Sequence, residues 1–132
     1  MPLLEARQLT MRFGGLTAVK QVDFVLEKTM IASLIGPNGA GKTTFFNMLT
    51  GIYVPTSGQL RLEGKDITGA RPDKLTSLGI ARTFQNIRLF KNMSVLDNVL
   101  VGRHSRLRTG LVGALLRLPA VEQEERQARR KA

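Results

Sequence analysis

Gly36-Pro37-Asn38-Gly39-Ala40-Gly41-Lys42-Thr43 is the stretch on which the fold turns. It fits the pattern G-x-x-x-x-G-K-[ST] in full, a match that a chain of 132 residues gives by chance on the order of once in a hundred. Glycines let a backbone wrap closely around a chain of phosphates, so that successive N–H groups point at the oxygens. A helix opening near Gly41 adds the positive end of its dipole. Lys42 supplies a mobile cation for β- and γ-phosphates, and the Thr43 hydroxyl suits a Mg²⁺ ion. Thr44 offers a further hydroxyl or N–H. The plainer alternative is a Gly-rich strand-to-helix turn with a solvent lysine.

The flanks support the first reading. Met30–Ile35 is a nearly continuous apolar run, which predicts a strand buried on both faces of a sheet. Lys42–Leu49 has helical composition and is stopped by Gly51, with Pro55 beyond. Farther upstream, Leu3–Arg12 and Val22–Glu27 show partial alternation, predicting two antiparallel strands. Downstream, Gln59–Leu62 is a strand with Glu63-Gly64-Lys65-Asp66 as its turn. Pro72–Leu78 is a short helix closed by Gly79, and Ile80–Phe84 is a short strand leading into Gln85. Ser94 caps a helix over Val95–Val101, with Asp97 in its first turn. Leu107–Leu118 is a second apolar segment, broken by Gly110 and Gly113 and ended by Pro119. From Val121 onward the chain is polar and helical in composition.

Composition narrows the class. Apolar residues make up 42% and charged residues 23%, as in an ordinary globular protein. With no cysteine, neither disulfides nor thiolate metal sites are possible, which fits a reducing cytosol. No apolar run approaches the ~18 residues of a membrane span, and the N-terminus lacks a signal-peptide pattern. Work at a membrane would therefore mean docking on a partner. The net charge is +10, and Arg103–Ala132 holds eight basic residues against three acidic ones. Such an excess suits nucleic acid, anionic lipid, an anionic ligand or simply a solvated surface. The basic stretch has no interleaved aromatics for base stacking.

The P-loop alone does not distinguish among nucleoside triphosphatases. Gly36-Pro37-Asn38-Gly39-Ala40-Gly41-Lys42-Thr43-Thr44, however, resembles the P-loop of ABC ATPases, with its Pro-Asn-Gly-Ala and double Thr. Met11-Arg12-Phe13-Gly14-Gly15 resembles that family's adenine-stacking loop, with Phe13 as platform and Val19 as the small apolar residue beside the base. Without the P-loop, Phe13 reads as a strand-end core residue. Pro55-Thr56-Ser57-Gly58-Gln59-Leu60 resembles the family's turn after the P-loop helix. Arg82-Thr83-Phe84-Gln85 is similar to the segment ending in the Q-loop glutamine, which implies a role for Gln85 at Mg²⁺ or the attacking water.

Asn86–Val95 resembles the stretch that meets a transmembrane subunit, with Leu89, Phe90 and Met93 as either exposed contacts or ordinary core. Gly79–Phe90, His104, Leu107-Arg108-Thr109-Gly110-Leu111 and Leu118-Pro119-Ala120 resemble, along the whole chain, an ATPase subunit of the high-affinity branched-chain amino-acid transport type. His104 itself reads as a surface histidine.

The resemblance implies an α/β fold, namely a P-loop NTPase core of the ABC type. Its antiparallel β subdomain would be followed by the start of a parallel sheet and of a helical subdomain, incomplete within 132 residues. Residues 1–85 would be the nucleotide-binding β core and 86–132 the start of the helical part. It further implies ATP and Mg²⁺ as cofactors, with Lys42 and Gln85 serving catalysis, and Thr43 and Gln85 the metal. The implied partners are transmembrane permease subunits, a second ATPase subunit in a head-to-tail dimer and, indirectly, a periplasmic binding protein, with no nucleic acid. The implied location is peripheral, on the cytoplasmic face of the inner membrane.

Two departures stand out. Thr29-Met30 occupies the place where the family has Gly-Glu. The signature motif, Walker B aspartate, catalytic glutamate and switch histidine of the family are not in these residues, so the chain alone is expected to bind nucleotide without turnover. Strands normally supplied by that part would leave apolar edges unpaired. A basic nucleic-acid module and a P-loop kinase or GTPase are the competing classes.

Overall fold

Gly14 and Gly15 close a two-residue turn between β1 (Leu4–Phe13) and β2 (Leu16–Leu26), where Phe13 pairs with Leu16. Gly14 takes φ +55, the left-handed backbone that such hairpin turns demand. The second strand thus begins well before the expected Val22, because the Gly-Gly turn lets pairing run to the hairpin tip. The computed structural model describes residues 1–84 and 89–102 of the chain. The chain forms two compact units, Met1–Arg82 and Thr83–Ala132.

In the first unit, β3 (Ser57–Leu62) pairs with the other side of β1, and β4 (Lys65–Asp66) with β3. The result is a four-stranded antiparallel sheet of order β2-β1-β3-β4. Its alternation is only partial in sequence for a physical reason. Leu4, Ala6 and Leu9 all point into the core, so one extra residue must sit between Ala6 and Leu9. Gln8 is that residue, at φ +49, and the β1–β2 register shifts there.

Gln21 does the same in β2, also at φ +49, between Val19 and Val22. Thr10, 4% exposed, ties the two irregularities together. Its hydroxyl donates to the Gln8 carbonyl at 3.3 Å and accepts the Gln21 amide at 3.0 Å. The Gln8 amide in turn donates to Asp23 Oδ1 at 2.7 Å. β3 crosses this bulge so closely that a Cβ on Gly58 would lie 2.5 Å from the Gln8 carbonyl oxygen.

Helix α1 (Lys42–Leu49) buries Phe45, Met48 and Leu49, the i, i+3, i+4 stripe of an amphipathic helix. Phe45 meets Phe24 of β2 edge to face at 5.7 Å. The helix ends where Gly51, at φ +73, donates to the Met48 carbonyl. Helix α2 (Pro72–Ser77) contributes Leu75 to the same core as Leu9, Leu60 and Ile67. Burying side chains of this size contributes about 1.5–3 kcal/mol apiece relative to exposure.

Two expected strands are not there. Met30–Ile35, read as a strand buried on both faces, carries none, and Ile31 and Ile35 are 94% and 92% exposed. A strand is held by its neighbour's ladder, and among the described residues no strand lies beside this segment. Ile80–Phe84 likewise carries no strand. Its first amide instead closes α2, Ile80 donating to the Leu75 carbonyl at 3.0 Å.

In the second unit, α3 (Val95–Gly102) starts as expected at Ser94. The Ser94 hydroxyl accepts the Asp97 amide at 3.1 Å and donates to the Asp97 carboxylate at 2.6 Å. The segments expected at Leu107–Leu118 and from Val121 onward lie outside the described residues.

Candidate functional site

The loop preceding α1 folds onto itself at close range. Gly39 and Gly41 adopt φ +85 and φ +82, values that L-side chains rarely take. Gly41 also lies against β2, where a Cβ would stand 2.3 Å from the Ala18 carbonyl oxygen and 3.3 Å from Val19 Cγ2. Only glycine lets the helix start this close to the sheet. Phe45 makes the first intrahelical bond, its amide to the Gly41 carbonyl at 2.9 Å. The amides of the residues before it at the helix start have no carbonyl four residues back within the helix.

No side chain caps this end, and no acidic residue occupies its first turn. A helix start left uncapped and uncompensated presents N–H groups and a positive dipole to an anion. The Lys42 ammonium folds back over the loop and donates to the carbonyls of Gly36 and Pro37, both at 2.6 Å. Thr43 is exposed and Thr44 half-buried. One amide of the expected cradle is turned elsewhere, since Ala40 donates to the Pro37 carbonyl at 3.3 Å. Between Lys28 and Leu62 the sequence has no Asp or Glu at all, so no carboxylate of the loop or α1 opposes a phosphate. These residues fit a nucleotide's phosphates and, through the exposed Thr43 hydroxyl, an accompanying divalent cation.

Phe13 ends β1 and is 42% exposed. Its ring meets Tyr53 edge to face at 5.3 Å with 75° between planes. Val19 is 6% exposed and belongs to the core, directly beneath Gly41. Gln85 and His104 lie outside the described residues. In the second unit Leu89 and Phe90 are 64% and 58% exposed, and with Met93, Val95 and Val99 they line one open apolar depression.

Sequence reasoning assigned no role to Tyr53 or Arg82. Tyr53, the one tyrosine of the chain, follows the glycine that ends α1. Arg82 donates to Asn47 Oδ1 at 2.6 Å and to Thr50 Oγ1 at 3.4 Å, fastening the segment before Gln85 to the end of α1. Neither contact has a local sequence pattern, because each joins residues far apart in the chain.

An uncapped helix behind a glycine loop, with a lysine at its first position and an antiparallel sheet beside it, defines an α/β protein of the P-loop nucleotide-binding kind. Residues 19–132 match the family described as ABC transporter, and the chain belongs to that family. It is 50% identical, over 96% of its length, to the high-affinity branched-chain amino acid transport ATP-binding protein BraF of Pseudomonas aeruginosa. It is 47% identical over the same share to LivG of Escherichia coli strain K12, which carries the same description.

The chain covers 50% of each of these relatives, so it spans about half their length. Among solved structures, a nucleotide-free ATP-binding cassette from an ABC transporter superposes with a TM-score of 0.75 at 33% identity, over 97% of this chain and 50% of that one. The ADP conformation of MJ1267, an ATP-binding cassette of an ABC transporter, gives 0.72 at 34% identity over 90% and 46%.

Proposed function

We propose that this chain is the N-terminal portion of a single ABC ATPase domain, and that the protein couples ATP hydrolysis to uptake of branched-chain amino acids. The observation that carries the proposal is the junction of Gly36–Gly41 with an uncapped, acid-free α1 under Lys42. Near-50% identity to BraF, itself described as a branched-chain amino acid transport protein, supports the solute class.

In this reading the loop amides and Lys42 hold the phosphates of ATP, and Lys42 exchanges the Gly36 and Pro37 carbonyls for phosphate oxygens when nucleotide enters. Thr43, with Gln85, ligands Mg²⁺, which screens the phosphate charge. Gln85 also orients water, and Phe13 stacks the base. The exposed Leu89, Phe90 and Met93 receive a transmembrane permease subunit at the cytoplasmic face of the inner membrane. There the protein is peripheral and paired head to tail with a second ATPase subunit, and a periplasmic binding protein acts through the permease. No helix among the described residues is long and apolar enough to cross a membrane.

Residues 1–132 alone bind nucleotide without sustained turnover, because hydrolysis needs a group that activates water and the family's Walker B aspartate and catalytic glutamate are not among these residues. Steady phosphate release from that chain, lost on Lys42→Ala, would overturn this part.

Uptake of labelled leucine in cells dependent on the protein tests the whole. Lys42→Ala should abolish energised accumulation, leaving unrelated solutes untouched. Unimpaired leucine uptake in the variant would remove the transport assignment.

A further inference from the structure

Phe13 stands at the tip of a hairpin closed by two glycines, and a Cβ on either glycine would meet nothing within 4 Å. Nothing in the turn itself fixes the ring. The ring is nevertheless held, by Tyr53 at 5.3 Å. Tyr53 is itself tied to the phosphate-loop helix, because its amide donates to the Asn47 carbonyl of α1 at 3.1 Å. Asn47 in turn accepts from Arg82 through its side chain. The chain of contacts runs from α1 through Asn47 and Tyr53 to Phe13.

We infer that Tyr53 is a positioning residue, which fixes the Phe13 ring relative to the phosphate loop so that base and phosphates of one nucleotide are met by a single preset frame. The inference rests on Phe13 being the base platform. Edge-to-face aromatic pairs favour one mutual orientation. A platform held in place before binding loses less freedom when the base stacks. The aromatic ring of Tyr53 carries the effect, and its hydroxyl is not needed.

The test is a titration of the full chain with MgATP and, separately, with magnesium tripolyphosphate, which has the phosphates but no base. Tyr53→Leu should weaken MgATP by about three- to tenfold, the worth of one such aromatic pair, and leave tripolyphosphate unchanged. Tyr53→Phe should behave as the parent. In a Phe13→Leu background, Tyr53→Leu should add nothing further. Equal losses for both ligands, or additive effects of the two substitutions, would make Tyr53 a packing residue and overturn the inference. If Tyr53→Leu does not fold, Tyr53→Met refills the site flexibly and carries the same test. Phe13→Leu acts as the separate check, since an unchanged ratio of the two affinities there removes the base platform itself and this inference with it.

Discussion

Thr29 holds φ +66 in the turn after β2, a backbone region that crowds a β-branched side chain. The resemblance to ABC ATPases places a glycine here, and the angle explains why. Thr29→Gly should therefore raise stability by about 1 kcal/mol, the relieved strain outweighing the extra freedom of the unfolded chain. A urea midpoint displaced upward at constant slope would show it, and a downward shift would mean that the Thr29 side chain has contacts worth more than the strain. This departure was visible in sequence because it is a change of residue type at a position with a known need. The bulges at Gln8 and Gln21 were not visible. Gln has no preference for positive φ, and what holds it there is Thr10, bonded to Gln8 along β1 and to Gln21 across the strands, and Asp23, bonded to Gln8 across the strands.

Helices fared differently from strands. α1 and α3 were legible because their end signals are local: Gly41 and Gly51 at the start and stop of one, Ser94 and Asp97 at the start of the other. Ser94→Ala should destabilise α3 by about 1 kcal/mol, since the Asp97 amide loses its acceptor. Faster hydrogen exchange confined to the first turn of α3 would report this, and unchanged protection would mean that the cap is idle in solution. Met30–Ile35 misled for the opposite reason. An apolar run records a preference for burial, but a strand is a property of a pair, and no partner for this one lies among the described residues. The motif Gly36–Thr43 and the helix after it are local in sequence, whereas the Tyr53 and Arg82 contacts are not, since they depend on where α1 ends in space.

Across the molecule, the net charge of +10 is the feature that sequence left open. The proposed nucleotide site accounts for only part of that excess, since the loop and α1 carry one cation, Lys42, and no carboxylate. A nucleic-acid module would instead gather its affinity from many phosphates and lose it steeply with salt. Calorimetric titration of MgATP into the chain and into Lys42→Ala separates these readings most directly. Loss of a charge-assisted bond to phosphate predicts an affinity about ten- to a hundredfold weaker in the variant. Equal affinity of the two proteins for MgATP, or no binding by either, would contradict the assignment of Gly36–Thr43 as the nucleotide site.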